Sequence, residues 1–295
     1  MSLLLRINLW LVGTFLVFLT AAVLVSRSAM RDEARDDAIS DARLLLESAQ
    51  GARDYTTAEV EPLLVRPGGA TPTKFFPQSV PAYAATQMFQ TLRKKRPEFS
   101  YREATLNPTN PRDRAVAWEA DVVEYFRNTA GAEELVNERQ AELGRSLYLA
   151  RPIRVSDAKC LACHDTAAMA PPTIVRQYGR ANGFGWKLHE TVGAQIVSVP
   201  LDIALARVDR TVGIVAGTLV TLFLLLFAVV NVVVRRIVLK PIALLATAAE
   251  SISTGQRVDV NLNLRGGDEI SMLCRAFDRM RTSVEKSIAM LNARE

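Results

Sequence analysis

The chain has 295 residues, of which 49% are hydrophobic, and a net charge of +5 at pH 7. Residues 27–210 carry 25 lysines and arginines against 24 aspartates and glutamates. That balance excludes a strongly basic nucleic-acid-binding domain.

The first apolar segment is Ile7 to Ser26, a run of 20 residues without charge between Arg6 and Arg27. A helix of this length crosses a hydrocarbon core of about 30 Å. We therefore predict a transmembrane helix at residues 7–26 that stays uncleaved, with residues 1–6 in the cytoplasm. The alternative is a signal peptide cleaved near Ser26 and Ser28, but such peptides have apolar cores of only about 7–15 residues.

Helical periodicity follows the first span. Apolar residues from Met30 to Ala49 recur at three- and four-residue steps, which predicts that the helix continues beyond the membrane. A loop is expected around Arg66 to Pro72. Three further segments have helical patterns: Tyr83–Lys95, Ala115–Asn128 and Glu133–Gly144.

Two short β-prone segments come later, Leu147 to Val155 and Gly193 to Leu201, on either side of a glycine-rich stretch, Gly179 to Trp186. We interpret them as strands of an antiparallel sheet. Residues 27–210 are therefore predicted to form an α+β domain with long N-terminal helices and a small sheet.

Between these strands, Cys160, Cys163 and His164 form the pattern C-x-x-C-H. This spacing is typical of covalent c-type haem attachment, in which two thiols form thioethers and the histidine binds the iron. A structural disulfide, a thioredoxin-like redox pair and a zinc site also use C-x-x-C. Zinc requires four ligands, and the chain has only one other cysteine, Cys274, and one other histidine, His189.

A second charge-free run, Thr211 to Val234, has 24 residues and predicts a transmembrane helix at residues 211–234. Arg235, Arg236 and Lys240 follow it at once, so the positive-inside rule places residues 27–210 in the periplasm and the rest in the cytoplasm. Haem c attachment on the outer face of the bacterial inner membrane requires the same orientation. The basic cluster also suits contact with anionic lipid.

Two heptad-like stripes follow Pro241. Their members are Ile242, Leu245, Ala249 and Ile252, then Ile270, Leu273, Phe277, Met280 and Val284. One chain cannot bury both stripes, which predicts a parallel homodimer with a four-helix bundle. The alternative is an amphipathic hairpin on the membrane. The connector between the stripes contains alternating apolar residues, Val258, Val260, Leu262 and Leu264. They indicate either a strand or residues that cap the bundle. We expect Cys274 to be a packing or surface thiol.

Four segments resemble the single-haem c-type sensor domains of bacterial membrane transducers, which have a PAS-like fold. The segments are AQGARDYTTAEVEPL (49–63), NPTNPRDRAVAWEADVVEYF (107–126), ARPIRVSDAKCLACH (150–164) and GFGWKLHETVGAQIVSVP (183–200). Residues 235–292 resemble a HAMP signalling module, in which Pro241 opens the first helix, Gly255 closes it and Asp268 to Ile270 start the second.

The resemblance implies one haem c attached through Cys160 and Cys163, His164 as the proximal iron ligand, and a sensory role. Some members use a cysteine of the N-terminal helix as the sixth iron ligand. This outer domain has no cysteine besides Cys160 and Cys163. The candidates here are His189, Met88, water or an external ligand. Arg151 and Arg154 either pair with the haem propionates or are ordinary surface arginines.

The sequence thus predicts a dimeric, two-span inner-membrane sensor that reports redox state or a small ligand through HAMP to a separate cytoplasmic signalling protein. No catalytic output domain is expected, so we do not predict an enzyme. A membrane-anchored monohaem electron carrier is the first alternative, and a peroxidase-like enzyme is the second.

Overall fold

The computed structural model describes residues 2–65, 74–142, 144–254 and 267–292. The chain divides into two compact units, Ser26–Thr211 and the combination of Met1–Val25 with Val212–Glu295. The predicted loop around 66–72, Gly255 and the HAMP connector residues lie outside the described residues.

A four-stranded antiparallel sheet forms the centre of the Ser26–Thr211 unit. Its strands are β1 (Ser100–Thr105), β2 (Leu135–Ala141), β3 (Gly144–Arg154) and β4 (Thr191–Pro200), arranged in the order β1-β4-β3-β2. The predicted strands on either side of the C-x-x-C-H motif, β3 and β4, are confirmed as direct neighbours. β4 is buried along most of its length because it has strands on both sides and helices on both faces.

Helices cover both faces of this sheet. Helix α1 (Leu3–Tyr55) continues through a π-helical turn, Thr56–Val60, into α2 (Glu61–Val65). The buried stripe of α1 packs with α3 (Pro81–Arg93) on one face, and α4 (Ala117–Asn128) packs on the other. Three stripe residues are alanines, Ala38, Ala42 and Ala49, and such small side chains allow the helix to approach the sheet closely.

The predicted helix over Glu133–Gly144 is wrong, because this segment contains strand β2. Its residues pair with β3 from Leu135 opposite Ala150 to Ala141 opposite Gly144. Leu135 and Val136 pack on opposite faces of the sheet, which is the two-residue period of a strand. Glu138, Arg139 and Gln140 favour a helix in isolation, but pairing with β3 overrides that preference.

The loops that carry the C-x-x-C-H motif and the glycine-rich stretch contain two short helices. Helix α5 (Leu161–His164) follows a 3₁₀ turn at Ala158–Cys160, and helix α6 (Pro172–Tyr178) ends at Gly179. Both lie between β3 and β4 in the chain.

Two helices, Leu3–Leu64 and Leu201–Ser253, are long and apolar enough to cross a membrane by length and composition. The second consists of α7 (Leu201–Val233), a π-helical turn (Val234–Leu239) and α8 (Lys240–Ser253). In the second unit, the Phe15 and Phe223 rings stack with centroids 3.8 Å apart. The Asn8 side-chain amide donates to Asn231 Oδ1 at 2.9 Å.

Both predicted HAMP helices are present, α8 and α9 (Glu269–Asn292). Their shared core is Leu245, Ala248 and Cys274, with Ile270 and Phe277 packed against it. Ala249 and Leu273, which the heptad pattern placed inside, are exposed in the single chain. The predicted fold class, a helical N-terminus, a small antiparallel sheet and C-terminal HAMP helices, is confirmed.

Candidate haem-binding site

Cys160, Cys163 and His164 lie in the short helical segment that follows strand β3. The Asp157 side chain accepts a hydrogen bond from the Lys159 backbone N–H at 2.8 Å and so caps this segment. Cys160 has helical backbone angles (φ −60°, ψ −35°), and helical residues three apart lie on the same side. Both thiols are free and partly buried. One helical face therefore carries both thiols, as attachment to a single porphyrin requires.

The His164 imidazole is held by its Nδ1 atom. Nδ1 lies 2.7 Å from the Gly183 carbonyl oxygen and 3.3 Å from Thr109 Oγ1. A carbonyl can only accept, so Nδ1 carries the proton and Nε2 keeps its lone pair. Trp186 stacks on the imidazole with ring centroids 3.8 Å apart and planes within 8°. The ring is thereby fixed in the tautomer and orientation that a metal-binding histidine needs.

The Asn107 side chain holds the loop segment that supplies the Gly183 carbonyl. Its Oδ1 accepts from the Gly183 N–H, and its Nδ2 donates to the Phe184 carbonyl, both at 3.2 Å. At the other end of this loop, Trp186 N–H donates to the His164 carbonyl at 3.2 Å. The loop and helix α5 are therefore tied together by hydrogen bonds in both directions.

Gly183 is a position where only glycine fits. Its φ is +83°, in the left-handed region that disfavours residues with a Cβ, and a Cβ there would lie 2.6 Å from the Thr109 Cα. The close approach of these two backbone segments brings both the carbonyl and the Thr109 hydroxyl to His164.

Burial determines the protonation of the two titratable groups in this helix. Burial lowers the pKa of His164, with the Gly183 carbonyl acting in the opposite sense, and this favours the neutral imidazole. Burial also raises the pKa of the Cys163 thiol, and the nearby Glu61 and Cys160 raise it further. Glu61 belongs to α2, so the C-terminal end of the long N-terminal helix lies near Cys163.

No local motif predicts a role for Asn107, Thr109, Gly183 or Trp186, although all four are in segments that carry the family resemblance. The available signals were the asparagine- and proline-rich stretch 107–111 and the glycine-rich stretch 179–186. Neither signal reveals that the two loops meet at His164, because 55 residues separate Thr109 from His164.

The two arginines predicted at the haem propionates have partners within the protein. Arg151 forms an ion pair with Glu134, with Nη2 3.1 Å from Oε2. Arg154 Nη2 donates to the Ala132 carbonyl at 2.5 Å. A contact of either arginine with the haem propionates stays a prediction. Arg151 would have to bind a propionate together with Glu134 or in place of it.

The two side chains named as sixth ligands lie on different elements. His189 is exposed and has φ +67°, and its backbone N–H donates to the Val155 carbonyl at 2.8 Å. Met88 is 37% exposed on α3. Both assignments stay predictions.

The donor set fits a c-type haem. It consists of two neighbouring thiols and one neutral imidazole with a free Nε2 lone pair.

Two family models match this chain. Residues 31–200 match the Tll0287-like family, and residues 233–286 match the HAMP domain. A similar solved structure is the crystal structure of the cyanobacterial haem protein Tll0287, at 16% identity and a TM-score of 0.44, covering 56% of this chain and 95% of that one. No curated protein matches the chain. Because the first match spans more than half of the chain, this protein belongs to the Tll0287-like family, a haem-binding PAS-like family of sensor domains, here followed by a HAMP domain.

Proposed function

We propose that this protein is a homodimeric, two-span inner-membrane transducer whose periplasmic domain carries one covalent haem c. Cys160 and Cys163 form the thioethers, and His164 binds the iron through Nε2. The observation that carries this proposal is the hydrogen bond between His164 Nδ1 and the Gly183 carbonyl, which leaves Nε2 free. When bound, the haem supplies an iron whose charge and ligation respond to redox state or to a small ligand.

The chain provides a short route from the haem site to HAMP. Strand β4 begins close to the site, where Val155 and Glu190 are bonded through their backbones, and it ends at Pro200. Helix α7 starts at the next residue, Leu201, and continues through the π-helical turn into α8. A change at the haem site moves HAMP only if it favours one of two packings of these elements. A coupling of about 1–3 kcal/mol gives a 5- to 150-fold bias.

The recipient of the signal is a separate cytoplasmic protein in this proposal. The Tll0287-like and HAMP matches support a sensor that transmits a conformational signal. A membrane-anchored electron carrier has no use for a HAMP domain, although both functions place a redox-active haem in the periplasm.

Crosslinking in intact membranes tests the proposal. Cysteine pairs that report on HAMP helix packing should change their crosslinking when the haem is reduced, or when CO or NO binds the reduced haem. A flexible Gly-Ser insertion after Leu201 should abolish this response and leave the haem spectrum unchanged.

Crosslinking that does not depend on haem state in the native protein would contradict the transducer function. So would an insertion without effect. If either outcome were accompanied by rapid electron exchange between the haem and a periplasmic donor, the electron-carrier function would be supported instead.

A further inference from the structure

A cleft lies beside edge strand β1, and none of its lining residues belongs to the C-x-x-C-H helix. Its walls are one face of α3, the strand residues Tyr101 to Glu103, and the 3₁₀ turn Pro111–Asp113, and it encloses about 130 Å³. Thr86, Gln90 and Arg93 project into it from successive turns of α3.

Among the described residues, the charges that line this cleft leave one cation without a partner. Arg102 pairs with Glu119, with Nε 3.1 Å from Oε1, and Arg112 pairs with Asp113, with Nε 2.9 Å from Oδ1. The Glu103 carboxylate in the cleft wall is neutralised by Arg53 of α1 and accepts a hydrogen bond from the Tyr101 hydroxyl.

Arg93 is the remaining charged group. It is exposed, and within the described part of the chain its guanidinium forms no ion pair or hydrogen bond. A guanidinium with a free planar fork pairs with a carboxylate through two parallel hydrogen bonds.

The apolar part of the cleft wall comes from Phe89 and Tyr101, which are 4% and 7% exposed. The Phe89 and Tyr101 rings stack with centroids 4.6 Å apart and planes within 18°. A fully hydrated inorganic anion gains nothing from such a wall, whereas the carbon chain of an organic acid is desolvated against it. The Thr86 hydroxyl and the Gln90 amide add polar groups of the kind that fix a ligand's orientation.

From this combination we infer that the cleft binds a small organic acid, whose carboxylate pairs with Arg93 and whose carbon chain lies against Phe89 and Tyr101. The site is separate from the haem function and does not depend on it. It does share a loop with the haem site, because the segment that ends at Arg112 and Asp113 begins with Asn107 and Thr109, which hold Gly183 and His164.

Isothermal titration of the full-length protein in detergent, at constant ionic strength, tests this inference with succinate, acetate and inorganic phosphate. We expect saturable binding of succinate, weakened about tenfold or more by Arg93→Gln, because the variant loses the charged fork. Lys94→Gln is the matched control, since it removes one positive charge from the next residue, which does not line the cleft. It should leave the affinity within about twofold, as expected for an exposed charge outside the cleft.

The inference is overturned if succinate shows no saturable binding, or if the two variants weaken binding equally, since that outcome indicates a general charge effect. Tighter binding of phosphate than of succinate, with the same sensitivity to Arg93→Gln, would also overturn it, because the apolar wall would then have no part in recognition. The haem spectrum of each variant should match that of the native protein, which verifies that the domain is folded.

Discussion

At the scale of single residues, the contacts of His164 turn a sequence motif into a defined metal ligand. The C-x-x-C-H spacing places an imidazole next to two thiols but leaves its tautomer open. The Gly183 carbonyl decides that Nδ1 carries the proton, and Trp186 limits rotation of the ring. Both groups come from a loop about 20 residues further along the chain.

Replacing Cys160 and Cys163 by alanine tests covalent attachment. In cells with the c-type maturation machinery, we expect the native protein to keep its haem after denaturation and the double variant to release it to acidified organic solvent. Haem staining of denaturing gels measures the difference. Covalent haem that persists in the double variant would remove the basis of the c-type assignment.

Gly183→Ala tests the support of His164. The new Cβ meets the Thr109 backbone, so the loop must shift and the bond from His164 Nδ1 to the Gly183 carbonyl should lengthen. We expect an altered Soret band or partial loss of haem. Gly179→Ala is the control, because it also has φ +83° but open space around the added Cβ. Equal spectra for the two variants would show that the close approach to Thr109 does not matter for the haem.

At the scale of elements, both π-helical turns end two residues before a proline. Thr56–Val60 precedes Pro62, and Val234–Leu239 precedes Pro241. A proline within a helix lacks an N–H and clashes with the carbonyl four residues earlier, which here lies inside the π-helical turn in both cases. The wider turn relieves this clash, so the helix continues through Pro62 and, in the second case, through Pro241, where the sequence predicted the start of a HAMP helix.

A buried ion pair joins the long N-terminal helix to the sheet. Arg53 of α1 pairs with Glu103 of β1, whose side chain is 5% exposed, and Tyr101 donates to the same carboxylate. Burial and the adjacent Glu103 charge raise the pKa of Tyr101, so its hydroxyl stays protonated as a donor.

Arg53→Met should destabilise the protein because, among the described residues, it leaves the buried Glu103 carboxylate with Tyr101 as its one side-chain partner. We expect a loss of about 3 kcal/mol, which corresponds to a fall of about 6–12 °C in the unfolding midpoint for a domain of this size. Thermal unfolding in detergent, followed by circular dichroism, measures it.

The exposed pair Arg27–Asp209, with both side chains 46% exposed, provides the control for that experiment. Arg27→Met should change the midpoint by no more than about 2–4 °C, since exposed pairs contribute at most about 1 kcal/mol. Similar losses in the two variants would show that burial of Glu103 has no special effect.

At the scale of the whole molecule, the HAMP helices present apolar side chains that the single chain does not cover. Ile242 is 41% exposed, Leu273 52% and Met280 54%, whereas the facing side chains Leu245 and Cys274 are buried between the two helices. A parallel dimer would cover side chains of this kind, and the dimer predicted from the heptad pattern stays a prediction.

Disulfide crosslinking tests this dimer. In a Cys274→Ala background, Ile242→Cys should crosslink to its counterpart in membranes, because residues on the heptad stripe of parallel chains face each other. Ser283→Cys, exposed on α9, should crosslink weakly. Crosslinking at Ser283 without crosslinking at Ile242 would mean that the bundle packs in another way or does not form.

The sequence alone determined the features that are local in the chain. The C-x-x-C-H motif, the two long apolar helices, the stripe of α1 and the strands β3 and β4 all follow from spacing and periodicity over fewer than about 30 residues. The tertiary structure decided the features that depend on distant partners. Residues 135–141 form a strand because their backbone pairs with β3, although several of their side chains have high helix propensity.

The same physical reason separates the site residues that were found from those that were not. Cys160, Cys163 and His164 lie within five residues of the chain, so a local motif is sufficient to predict their chemistry. Asn107, Thr109, Gly183 and Trp186 act on His164 only after two loops meet, and the glycine at 183 is required by a backbone contact that no local pattern encodes. In the HAMP helices, the heptad pattern identified the apolar stripes but not every buried residue. Packing of α8 on α9 buries Ala248 and Cys274 and leaves their neighbours Ala249 and Leu273 exposed. The facing helix determines which side of a stripe is buried.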